Sequence, residues 1–361
     1  MLFKTSKFLY FGLFIWCASS SFAFAQSGGT FAIKRNVVGG GTAEQNAGGQ
    51  FKLNGIVGQQ AANIVTSTQF SAVGGFWAAR IRGRSVNADF DGDDKNDVSV
   101  FRPSNGTWYF LNSFNGAFSA VAFGIGTDKL APADFDGDGK TDIAVFRESD
   151  GNWYYLRSSN NAFAAVPFGA VGDKPIPGDF DGDGKAEFCV FRPSNGVWYF
   201  NRTSDNSFVA VAFGTAGDVP LAADFDGDGK NDIAVWRPSD GVWYRLNSSN
   251  GAFAAVPFGA NGDKPVPADF DGDGKTDQAV FRPSNGVWYW TLSLSGGFSG
   301  LAFGSGTDIP AAGDYDGDGR ADQAVFRPTD GTWYFQRTTG GFNAAAFGAN
   351  GDQPVPGAFV P

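Results

Sequence analysis

Asp134-Phe135-Asp136-Gly137-Asp138-Gly139-Lys140-Thr141-Asp142, running on into Ile143-Ala144-Val145-Phe146, is the stretch on which the fold turns. Carboxylates stand at positions 1, 3, 5 and 9 of this loop, with Gly at position 6. That spacing lets a tight loop wrap oxygen ligands around one hard cation, with the Lys140 carbonyl at position 7 as a further ligand. Four carboxylates suit Ca2+ better than Mg2+, which keeps several waters. An EF-hand would place Glu at position 12 and continue as helix. Here position 12 is Val145, inside an apolar run that reads as strand.

The loop recurs with a period of 45 residues, beginning at Asp89, Asp134, Asp179, Asp224, Asp269 and Asp314. The predicted ligands are Asp89, Asp91, Asp93 and Asp97; Asp134, Asp136, Asp138 and Asp142; Asp179, Asp181, Asp183 and Glu187; Asp224, Asp226, Asp228 and Asp232; Asp269, Asp271, Asp273 and Asp277; and Asp314, Asp316, Asp318 and Asp322. Plain turns do not require four acids at one spacing six times over, and these four positions hold 24 of the 37 acids in the chain. Up to six Ca2+ are therefore expected. Asp94 replaces Gly at position 6 of the first loop, where a side chain brings left-handed backbone strain. Glu187 replaces Asp at position 9 of the third, with a longer reach.

Around each loop the same elements return. The apolar run is followed by a turn such as Pro103-Ser104-Asn105-Gly106, then an aromatic strand such as Trp108-Tyr109-Phe110. A second turn leads to a strand ending in Phe-Gly, as at Phe258-Gly259, and Gly262 to Ala268 supplies a fourth strand entering the next loop. Asn-Gly and Asp-Gly between apolar runs are hairpin signals. Four short strands per 45-residue unit match a β-propeller blade, so the chain reads as all-β, a propeller of six four-stranded repeats. A solenoid is the rival, but neither end looks like a polar capping repeat. The pre-loop strand occurs a seventh time at Gln353 to Phe359. The expectation is closure as seven blades, Thr30 to Trp77 giving the missing three strands; the alternative is six blades and a separate N-terminal β module.

These residues resemble the FG-GAP/VCBS-type repeat family, which includes the integrin α-subunit propeller. Each unit has that family's Phe-Gly step (Phe123-Gly124 through Phe347-Gly348), its Gly/Ala/Pro-rich strand and its Asp-x-Asp-x-Asp-Gly-x-x-Asp loop, over residues 82–359. The resemblance implies a calcium-stabilised propeller, usually extracellular, used in adhesion or recognition. Some fungal lectins similar to this family bind sugars between blades. Residues 30–77 resemble a small Gly-rich β segment near the start of some exported bacterial proteins.

Composition narrows the chemistry. The 361 residues include no His, which excludes Ser-His-Asp and Cys-His nucleophiles and His-ligated metals. Residues 1–25 read as an export signal: Lys4 and Lys7, an apolar stretch from Phe8 to Trp16, and Ala23-Phe24-Ala25 before Gln26. The division is then 1–25 signal, 26–81 Gly-rich β segment and 82–361 propeller. Cleavage removes Cys17 and leaves Cys189 alone, so no intrachain disulfide forms. The formal charge of −10 becomes −12 without Lys4 and Lys7, which argues against nucleic acid and anionic membranes. Six Ca2+ would bring it to about zero. No segment is apolar for long enough to span a membrane.

Trp108, Trp153, Trp198, Trp243, Trp288 and Trp333 recur at the same period, each before a Tyr. They read as inter-blade core in preference to sugar-stacking platforms. Arg102, Arg147, Arg192, Arg237, Arg282 and Arg327 recur too and are expected on a carbonyl, carboxylate or aromatic face in preference to a ligand. A unique site must break the symmetry, and the singular residues are Glu148, Cys189, Trp236 and Trp290. Cys189 reads as an inert core residue and Glu148 as a solvated charge. None makes an acid/base pair of the kind a glycosidase needs. The sequence therefore predicts an exported, monomeric, non-catalytic calcium-binding module for an extracellular protein or glycan. The alternatives are a lectin with inter-blade sugar sites, and a polysaccharide lyase or hydrolase drawing on Glu148, Asp150, Asp205, Asp240 or Asp330.

Overall fold

Short apolar runs joined by Gly-centred turns have no helical period to follow and pair as antiparallel hairpins. In a computed structural model, residues 88–356 are described, together with the strands Gly41–Gly48, Phe51–Val57, Ile64–Thr66 and Ser71–Val73. No helix occurs among the described residues. The chain divides into two units, Met1–Ile81 and Arg82–Pro361. In the first, Gly41–Gly48 pairs with Phe51–Val57 and Ile64–Thr66 with Ser71–Val73, both antiparallel. The expected signal, residues 1–25, lies outside the described residues.

The second unit holds six four-stranded antiparallel sheets, the blades of a six-bladed propeller. Blade 2 shows the pattern: Lys129–Leu130, Ile143–Arg147, Asn152–Leu156 and Phe163–Pro167, each pairing with the next. The Asp loop joins the first strand to the second. The second strand is buried on both sides, whereas alternate residues of the fourth are exposed, which makes it the outer edge. Blades 3 to 6 repeat this from Lys174, Val219, Lys264 and Ile309.

Closure differs from the seven-blade expectation. Gln353–Pro354 pairs with Val98–Arg102 and completes blade 1, so six blades close the ring. The two pre-loop copies at the chain ends share one strand position. The C-terminal copy gives Gln353 to Val355, with the Val355 amide donating to Ser99 O at 2.9 Å, while the N-terminal copy gives Ala88, whose carbonyl accepts the Asp97 amide at 2.7 Å. A seventh set of strands is not needed because one inner strand is built from both ends.

The core lies between blades. Phe101 and Trp108 of blade 1 pack on Ile143 and Val145 of blade 2, and equivalent clusters follow round the ring. A last cluster joins Phe326 and Trp333 of blade 6 to Val100 of blade 1. All six recurring Trp are buried, as their spacing implied. Five donate an indole N–H to the carbonyl of the Phe-Gly step, as Trp153 does to Phe168 at 2.7 Å. The glycine of that step is dictated by packing: Gly169 has φ +146°, and a Cβ there would lie 2.7 Å from the Phe146 ring.

Candidate metal centres

The loop is organised from its first residue. One Asp134 oxygen accepts the Gly137 amide at 2.6 Å and the other the Gly139 amide at 2.8 Å, curling the chain over the carboxylate. The same pair of bonds appears in all six loops. Position 6 must be left-handed, and Asp94 adopts φ +67° there, the strain its sequence position implied. Position 9 is fully buried. Asp142 accepts the Phe135 amide at 2.9 Å and, from the turn beyond the third strand, the Ser158 amide at 2.6 Å. Asp138 takes the Ser158 hydroxyl at 2.8 Å and Asp136 the Ser159 hydroxyl at 2.6 Å. A second turn thus buttresses every loop. Its hydroxyls at Ser113, Ser158, Thr203, Ser248, Ser293 and Thr338 also carry the 45-residue period, a signal present in the sequence.

Six groups of carboxylates have oxygens converging within 4.8 Å of one another among the described residues, five of them as follows. These are Asp89, Asp91 and Asp97; Asp134, Asp136 and Asp142; Asp224, Asp226 and Asp232; Asp269, Asp271 and Asp273; and all four of Asp179, Asp181, Asp183 and Glu187. Asp93, Asp138, Asp228 and Asp277 stand outside these groups, held by their own hydrogen bonds. In the sixth loop Asp314 and Asp322 keep the standard bonds, while Asp318 Oδ2 accepts both the Thr338 and Thr339 hydroxyls at 2.6 Å.

Burial of these acids shows in their protonation. Desolvation, with repulsion from position 3 of the same loop, pushes Asp97, Asp142, Asp232 and Asp322 up to about 6 despite donated hydrogen bonds. Asp179 also rises to about 6, and burial lifts Glu187 to about 7. Asp91 Oδ1 and Asp271 Oδ1 are buried with no hydrogen-bond partner among the described residues. An all-oxygen set with an orphaned inward carboxylate oxygen fits a hard divalent cation.

Neighbouring loops also touch, which repeat spacing alone does not reveal. The position-8 amide of each loop donates to the position-1 carbonyl of the loop before it, from Thr141 to Asp89 round to Asn96 to Asp314, at 2.6 to 2.8 Å. The position-7 stem lies across glycine 4 of the preceding loop, so a Cβ on Gly137 (φ +82°) would sit 3.0 Å from Lys185 Cε.

On the blade edge away from these loops, each recurring Arg makes a two-pronged ion pair with a buried Asp preceding the first strand. Arg147 meets Asp128 at 2.8 Å through both Nε and Nη2, and Arg102 meets Asp352 across the chain ends. The guanidinium also lies 4.4 to 4.7 Å from the Tyr ring of the third strand. The carboxylate and aromatic partners expected for Arg are both found.

The singular residues are absorbed into structure. Cys189 and Trp236 are buried, and burial pushes the Cys189 thiol up. Trp290 packs on Phe270 at 5.4 Å. Glu148 is not merely solvated: it pairs with Lys129 at 3.0 Å and accepts the Gly172 amide. Asp150, Asp240 and Asp330 accept Tyr hydroxyls, and Asp205 accepts the Ser207 amide.

The ring of blades with an Asp loop between the first two strands of each defines a repeat β-propeller with candidate cation sites. The FG-GAP-like repeat model matches residues 89–145, 134–190, 179–235, 224–280 and 269–325, and the chain belongs to that family. No curated protein matches it in sequence. Among solved structures it is similar to an Agrocybe aegerita lectin that recognises non-reducing terminal N-acetylglucosamine (18% identity, 76% of this chain and 80% of that one, TM-score 0.48). TolB from Acinetobacter baumannii (16%, 75% and 68%, 0.49) and a streptogramin B lyase (10%, 74% and 88%, 0.47) are also similar. Likenesses at this level carry no argument about function.

Proposed function

We propose that this chain is an exported propeller that loads calcium at its Asp loops and binds an extracellular protein or glycan without catalysing a reaction. The observation that carries the reading is the convergence of carboxylates at equivalent loop positions, with the buried Asp91 Oδ1 and Asp271 Oδ1 left unbonded. Bound calcium would neutralise the clustered charge and lock each loop against its buttressing turn. The sites then serve stability, and recognition falls to the surfaces they hold in place. Export rests on residues 1–25 of the sequence; no described helix is long and apolar enough to cross a membrane. The lack of His and the structural engagement of Glu148, Asp150, Asp240 and Asp330 favour binding over catalysis.

One observation favours the lectin form of this reading. The Trp are buried, but Phe118, Phe163, Phe208, Phe253, Phe298 and Phe342 are 62 to 66% exposed on the outer strands. Each lies against a Tyr of its own blade and edge-on to a Phe of the preceding one, as Phe163 does with Tyr154 and Phe123. Flat, fixed, exposed rings suit the apolar face of a sugar. Screening the calcium-loaded protein on glycan and extracellular-protein arrays, with a chelated sample in parallel, tests both forms. Chelator-sensitive binding of either class is expected; turnover of a glycan would contradict the non-catalytic reading.

A further inference from the structure

One cavity carries a residue that departs from the sixfold repetition. It lies beside the second Asp loop, has a volume of about 380 Å3, and is bordered by Asp136, Asp138, Tyr155, Arg157, Asn160 and Lys185. Tyr155 is singular: the equivalent positions are Phe110, Phe200, Arg245, Trp290 and Phe335. It is buried, tilted against Phe135 and Phe188 at 5.4 Å, and gives the cavity a rigid aromatic wall. Arg157 leans on that wall, its guanidinium carbon 5.9 Å from the ring centroid. Lys185 arrives from the loop of the next blade, its stem laid over Gly137.

Neither cation makes an ion pair among the described residues, whereas all six recurring Arg are paired. Arg157 also engages the Tyr155 hydroxyl and feels Asp136 and Asp142, so the two cations, converging from two blades on one cavity, complement an anion once those carboxylates are neutralised. The remaining wall is of the kind that holds a sugar: an aromatic side chain, carboxylates to accept hydroxyl protons, and Asn160. The Asn160 Oδ1 accepts the Ala162 amide, which leaves its NH2 group to donate. The volume fits one or two sugar rings.

We propose that this pocket binds a uronate residue of an acidic polysaccharide, its carboxylate held between Arg157 and Lys185 and its hydroxyls by Asp136 and Asn160. This rests on the calcium reading above, because Asp134, Asp136, Asp138 and Asp142 repel an anion until a divalent cation cancels half of their charge. The site names the ligand class and gives it one location, distinct from the outer Phe rings.

The test uses the full calcium-loaded chain and a glucuronate-containing tetrasaccharide, beside the same tetrasaccharide with its carboxyls reduced to alcohols. Calcium binding is titrated on each sample by calorimetry. The acidic tetrasaccharide is expected to bind, and its reduced form at least about tenfold more weakly, the loss of a charge-assisted contact. At saturating calcium, confirmed by calorimetry on each variant, Arg157→Gln and Lys185→Gln should each weaken binding of the acidic tetrasaccharide about tenfold and leave the weak binding of its reduced form unaltered. Arg202→Gln, at the equivalent position of blade 3, should change nothing. Equal affinity for both tetrasaccharides, unaltered binding by both variants, or preference for an Asp/Glu-rich peptide would overturn the proposal. Calcium uptake without tetrasaccharide binding overturns it alone; no calcium uptake overturns the reading beneath it.

Discussion

The Asp128 carboxylate is fully buried, and its charge is met by two hydrogen bonds from Arg147 beside one from the Ile125 amide. Arg147→Met leaves that carboxylate without a counter-charge, and a loss of about 3 kcal/mol is expected from urea unfolding. Arg147→Lys should recover only part of it, since an ammonium cannot reproduce the fork. Asp94 offers the opposite sign. Its φ of +67° strains a side chain where the other loops carry Gly, so Asp94→Gly should raise stability by about 1 kcal/mol in the same assay. The acids of the loops and the strain at Asp94 were legible in the sequence because both follow from spacing along the chain. The Asp128 partner was not, because nothing in the local pattern says which acid folds back onto Arg147.

At the scale of the loop, burial raises Asp97, Asp142, Asp232 and Asp322 to about 6 and Glu187 to about 7, above their ordinary values of 3.8 and 4.5. Between about pH 4 and 7 the folded, calcium-depleted protein therefore binds more protons than the unfolded chain. Its stability should fall as pH rises through that window. Calcium bound as proposed would displace the same protons, so the calcium-loaded protein should show the reverse slope. Calorimetric melting of both forms at pH 4.5 and 7 checks the sign; parallel slopes would contradict the account. The second turn, with its hydroxyls on positions 5 and 9, escaped the sequence reading because its Ser and Thr look like ordinary loop residues until the loop is seen resting on them.

For the whole molecule, the repeat period announced the propeller but not its blade number. Counting seven pre-loop strands suggested a seventh blade, whereas Gln353 to Val355 and Ala88 share one inner strand. Sharing between chain ends leaves no trace in the spacing, and the hydrogen bonds from loop to loop likewise exist only between repeats. Removing residues 352–361 takes away Asp352 and the inner strand of blade 1, opening the ring at Arg102. Such a chain should lose cooperative unfolding, read as a broadened calorimetric transition. Under the proposed calcium reading, the hydrogen bonds from loop to loop predict that the sites fill cooperatively. The most direct measurement is a calcium titration of the depleted full chain by equilibrium dialysis, with melting temperature followed on the same samples. Uptake of up to six Ca2+ per chain, with a melting temperature that climbs as they bind, is the expected result; no uptake, with equal melting in calcium and in chelator, would contradict the account.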